Sequence, residues 1–276
     1  MNIVLGSLLA AATSTITVTG TPPSGPAAQR FVAQVAIAAE NDVPLARFTA
    51  PICAGSVGLP PGADAVVADR ITTVAAAAGL RIARAGCTPN VMVVFVKDGH
   101  EAVRTLARTG SGAMLSQSHA DVVRLLAEPG PAWAWSEVET LSRDGDRQSH
   151  LDTGEKSLKT VTSTRLSMPI RRDIVSSVVL IDREAAADRD LRQIADYAAL
   201  RALTGAKLKG SATEPTVLTL FTRERGAAAP DGLTEPDRAF LSAFYAVRAD
   251  MAQPLQRQRM VDRMARSHVT NADQAP

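Results

Sequence analysis

Two runs of apolar residues, at 90–96 and 173–182, constrain what this chain can fold into more than any other feature. The first carries Val91, Met92, Val93, Val94, Phe95 and Val96 in succession. The second carries Ile174, Val175, Val178, Val179, Leu180 and Ile181. A strand that is apolar on both faces must be covered on both faces, so these runs read as interior strands of a helix-covered sheet. Each leads into a helical pattern, at 101–108 and 188–205. In the second helix Leu191, Ile194, Ala195, Ala198 and Ala202 form one apolar stripe, on which Gln193, Asp196 and Arg201 cannot all lie. Asp188 or Asp190 suits its N-cap, and Gly205 its C-terminus.

The rest of the chain extends this alternation. Phe31, Val35 and Ala38 predict a helix over 27–39, and Val67, Ile71, Val74 and Ala78 a helix over 64–78 closed by Gly79. Residues 15–20 and 45–50 read as short strands. Residues 118–128 read as a helix broken by Pro129, Gly130 and Pro131. Residues 137–141 and 160–166 are expected to pair as antiparallel strands around the polar stretch 142–159. Trp133 and Trp135 would share one face of a strand, as a packing wall or as the lining of a peptide or glycan groove. The expectation is an α+β or α/β fold, a mixed sheet packed with helices. It forms one domain over 15–250, between a leader at 1–14 and a polar terminal helix with a disordered tail at 251–276.

Hydrophobic residues make up 46% of the 276, ample for a sizeable core. Aromatics are only 4% while alanine is abundant, which favours helices packed closely through small side chains. The 30 basic and 28 acidic residues are interspersed, without the basic stripe of a nucleic-acid binder. Residues 3–12 form an apolar run ending in small residues, of signal-peptide length and too short to span a bilayer, so no stable transmembrane segment is expected. Cys53 and Cys87 are the only cysteines. With a leader they suggest a disulfide and a periplasmic or secreted protein; without one they read as two buried thiols in a cytoplasmic protein.

Catalytic motifs are weak. Lys97, Asp98, Gly99 and His100 lack the glycine spacing of a phosphate loop and read as a strand-to-helix turn. Ser116 and His119 have no orienting acid, and Asp182 and Glu184 lack a sugar-binding surface around them.

Residues 215–221 followed by 233–245 resemble the C-terminal portion of metzincin-like, exported proteobacterial proteins. The resemblance spans about 174–250. It implies a zincin-like fold in which a metal-binding helix is followed by a methionine-bearing turn and then by a helix with an aspartate near its start. Here Thr234 and Asp237 begin that last helix, and Phe240, Leu241, Phe244 and Tyr245 form its packing face. The metal-binding pattern is broken. A zincin needs two histidines at i and i+4 beside a glutamate, whereas the helix at 188–205 offers Gln193 with Tyr197 and Asp196 with Leu200. No histidine lies between His150 and His268, and Leu218 or Leu220 stands where the methionine would be. The resemblance thus implies a non-catalytic exported binding or interaction protein on a metal-free scaffold, with no cofactor and a protein or peptide partner. The alternatives are a periplasmic, peptidase-like hydrolase using Asp196 and Tyr197, and a structural envelope protein.

Overall fold

The computed structural model describes residues 23–37, 43–110, 114, 116–150, 156–158, 160, 164, 167–222 and 230–272. The expected leader at 1–14, the strand at 15–20 and most of 160–166 lie outside these residues.

The fold is α+β, centred on a mixed four-stranded sheet of order β2-β3-β7-β4. Strands β2 (Ala54–Val57), β3 (Val91–Val96) and β7 (Ile170–Asp182) run parallel, and β4 (Ala132–Ser142) closes the edge antiparallel to β7. The two apolar runs are the neighbouring central strands β3 and β7, in a register that places Val93 beside Val179 and Phe95 beside Ile181. Strand β4 was expected to pair with 160–166. It pairs with β7 along its whole length, on the edge opposite β3, and most of 160–166 lies outside the described residues.

Alternation along the strands sorts the helices into two layers. Val91, Val93, Phe95, Val179 and Ile181 face the main core, which contains α2 (Pro61–Ala77) and α6 (Leu191–Thr204). Leu180, Trp133 and Trp135 face the other way, toward α3 (Gly99–Thr109) and α4 (His119–Leu126). The two indoles are therefore a buried packing wall. Asp98 caps α3 by accepting the Glu101 amide, and the helix starts hard against the wall. A Cβ on Gly99 would lie 2.2 Å from the Trp133 ring and 2.6 Å from Leu180.

Two further expectations change toward the N-terminal side. Helix α1 (Gly25–Gln34) stops before Val35, because Val35–Ile37 becomes β1 and pairs antiparallel with β8 (Ala206–Leu208). The strand expected at 45–50 is a single bridge from Arg47 to Asp173 of β7. The buried Arg47 guanidinium donates to the Val247 carbonyl at 2.6 Å and lies 5.2 Å from the centroid of the Phe244 ring; burial lowers its pKa to about 10. At the other end, α7 (Glu235–Ala246) and α8 (Gln253–Ala272) join α1 in the core, with Gln256, Met260 and Met264 buried.

Cys53 and Cys87 form a disulfide across a sequence separation of 34. It joins the residue before β2 to the loop before β3 and encloses α2. Closing a loop of this size stabilises the folded state by about 3–4 kcal/mol. Replacing both cysteines by serine is expected to lower the unfolding free energy in urea by that amount while leaving the far-ultraviolet dichroism unchanged. An unaltered urea midpoint would mean that the bridge carries no stability. Gly99→Ala is expected to cost about 1–3 kcal/mol through overpacking against Trp133, read from the same titration.

Candidate functional site

Helix α6 dominates the main core. Every residue from Ile194 to Thr204 is buried, so no single stripe describes it. Asp190 caps its start with a reciprocal bond from Gln193, and Gly205 ends it in the left-handed conformation at φ 66°. The buried alanines at 195, 198, 199 and 202 let neighbouring elements approach closely, which leaves room to bury charged groups only as partnered sets.

Asp196 and Tyr197, adjacent in sequence, face different surroundings. Asp196 is fully buried toward α2. Arg70 donates to it through Nε at 2.6 Å and Nη2 at 3.0 Å, and the Leu233 amide donates to Oδ2 at 2.8 Å. Gly232 makes that last bond possible, since a Cβ there would stand 2.4 Å from the same oxygen. With its oxygens engaged by these donors, Asp196 is a structural anchor in this geometry and does not reach the cleft described next.

Tyr197 lines an open cleft with a cavity volume of about 90 Å³, together with Arg201, Glu128, Lys207, Leu218 and Phe221. Tyr197 and Arg201 are one helical turn apart and so project side by side. Arg201 Nη1 donates to the tyrosine oxygen at 2.9 Å, and its Nη2 donates to Glu128 Oε2 at 2.9 Å. Lys207 Nζ donates to the other Glu128 oxygen at 2.6 Å. Phe221 meets the Tyr197 ring edge-on, with centroids 4.8 Å apart.

Burial pushes the Tyr197 phenol up from its ordinary pKa, only partly opposed by the Arg201 charge, so the ring keeps its proton at neutral pH. The Arg201 guanidinium is also held up: burial acts to lower its pKa, but Tyr197 and Glu128 outweigh it. A protonated phenol and a permanent cation supply neither a base nor a nucleophile at neutral pH. They also fail as zinc ligands, since an arginine has no lone pair to offer. Among the described residues no group of three or more histidines, cysteines, aspartates or glutamates could hold a metal, and no helix is long and apolar enough to cross a membrane.

The other sequence candidates serve the scaffold. Asp182 accepts the Gly99 amide at 2.6 Å and anchors the start of α3. Burial raises its carboxyl pKa, and the neighbouring Asp98 and Glu184 add to the rise against the amide bond. His119 opens α4 behind a Ser118–Asp121 capping box. Asp237 in the first turn of α7 accepts from the Thr216 hydroxyl, the Val217 amide, and the amide and hydroxyl of Thr234. It thereby fixes the 3-10 turn Val217–Thr219 against α7.

Arg201, Glu128 and Lys207 were not singled out from sequence as a site. The i,i+4 relation of Tyr197 to Arg201 is readable. Glu128, 73 residues before Arg201 and 79 before Lys207, carries no local signal. No family model, curated protein or solved structure matches the chain.

The Arg70–Asp196 pair generates a double-mutant test. Arg70→Met leaves a buried carboxylate without its cation and is expected to cost about 3–5 kcal/mol in urea unfolding. Adding Asp196→Asn should restore part of that loss, because the uncompensated charge is gone. Additive costs would show that the two side chains are not coupled.

Proposed function

We propose that this protein is a non-catalytic binding or interaction protein of the periplasm or the cell exterior, built on a metal-free zincin-like scaffold. One observation carries the reading: the i,i+4 pair that α6 turns toward Leu218 and Phe221 is Tyr197 with Arg201, locked by hydrogen bonds to each other and to Glu128. In metzincin-like proteins, which residues 174–250 resemble, an i,i+4 pair on the corresponding helix ligates the metal. Here an i,i+4 pair on α6 presents a guanidinium, which has no lone pair to offer a metal. Asp196, the carboxylate on that helix, is spent on Arg70 and the Leu233 amide.

The compartment is supported by the Cys53–Cys87 disulfide, since such bridges persist in oxidising surroundings. The role of the cleft is recognition of a protein or peptide partner. Its aromatic and proline walls surround a small set of oriented charges, the arrangement expected of a binding pocket.

Purified protein dialysed against zinc and assayed on a quenched peptide library is expected to retain no stoichiometric metal and to give no turnover. One zinc per chain, or hydrolysis abolished by Asp196→Asn in a folded variant, would overturn this reading in favour of a hydrolase.

A further inference from the structure

We infer that the cleft between α6, β8 and the start of β4 accepts a carboxylate group, borne by a peptide's C-terminus or by an acidic side chain. This rests on the reading of the protein as a non-catalytic binder and names the chemistry of its ligand.

Glu128 is the only anion among the described lining residues, facing the two cations Arg201 and Lys207, so these three side chains carry one net positive charge. Both Glu128 oxygens already accept, one from each cation. The donors are not exhausted. Arg201 has a third donor nitrogen, Nε, which is buried and has no acceptor among the described residues. An ammonium group carries three N–H donors, of which Glu128 takes one from Lys207. The Tyr197 oxygen accepts from Arg201 and keeps one O–H donor of its own. A surplus of donors and a surplus positive charge call for a ligand rich in acceptors and negatively charged.

Size and walls narrow the class. A volume of about 90 Å³ equals the share of roughly three waters, enough for a carboxylate with the carbon that carries it. Pro129, Pro131, Leu208 and Phe221 supply apolar contact for that carbon. Access is through Lys207, whose side chain is 35% exposed while that of Arg201 is 8% exposed. An entering carboxylate would therefore meet Lys207 first and then the inner guanidinium. Glu128 keeps both cations aimed, as a positioning residue that the ligand need not displace.

The test titrates three acetylated peptides of one short apolar sequence into the full chain by calorimetry. One ends in a free carboxylate, one is amidated, and one is amidated but carries an internal glutamate. At least one of the two acidic peptides is expected to bind, and whichever does identifies the natural source of the group. The neutral peptide should bind at least about tenfold more weakly, and Lys207→Gln should weaken the acidic peptide by about tenfold while keeping the wild-type urea midpoint. Equal affinity for the neutral peptide, no binding of either acidic peptide, or full affinity in Lys207→Gln each overturns the inference. None of these outcomes touches the metal and turnover assays, so the ligand class and the non-catalytic reading fail separately.

Discussion

A carboxylate with no exposed surface, Asp196 of α6, is neutralised by the Arg70 guanidinium of α2 and accepts the Leu233 amide as well. Burial of an unpaired carboxylate would cost several kcal/mol, so the position of each partner is specified by the need to remain there. Helix α2 bridges β2 to β3, and α6 follows β7. One charge pair thus fixes two of the main helices under the parallel part of the sheet, while the Leu233 amide draws in the approach to α7. Arg70 is a quarter exposed, which lets its far side stay hydrated and softens the desolvation of the pair. The burial of Tyr197, one residue along and on another side of the helix, follows from the same placement.

How much of this could be read from the chain depended on the range of the signal. The strands expected at 90–96 and 173–182 and the helices after them were legible because β-branched runs and capping residues act locally. The partner of β4 was not. Strand β7 offers β4 a ladder from Ala132 to Ser142, and alternation within β4 does not say which later strand supplies it. The helix at 188–205 was expected with an apolar stripe on which Gln193, Asp196 and Arg201 could not all lie, yet Asp196 and Arg201 are both buried. Charged residues are buried where distant counter-ions meet them, and Arg70 lies 126 positions away from Asp196. Tyr197 was legible as a candidate but its surroundings were not, since Glu128 and Lys207 reach it only through tertiary structure.

The cleft is assembled from segments that end or begin elements: the residues after α4, the first residue of β4, the C-terminal half of α6, β8 and the turn before Thr222. Pro129 and Pro131 stiffen the link from Glu128 into β4, and the bonds from Thr216 and Val217 to Asp237 hold the turn that carries Leu218. Its walls are therefore fixed by the scaffold, and its charges by one another. Such preorganisation lowers the ordering cost of taking up a ligand.

Helix α8 gives the fold a direction in time. Its Gln256 accepts the Leu45 amide at 2.7 Å and donates to the Arg248 carbonyl at 2.8 Å, and its Met260 and Met264 join Phe31 in one core. The first helix of the described fold is thus covered by the last, 211 positions separating Leu45 from Gln256. Until the C-terminal helices arrive, the apolar face of α1 lacks Phe240, Met260 and Met264, and the Leu45 amide lacks its acceptor.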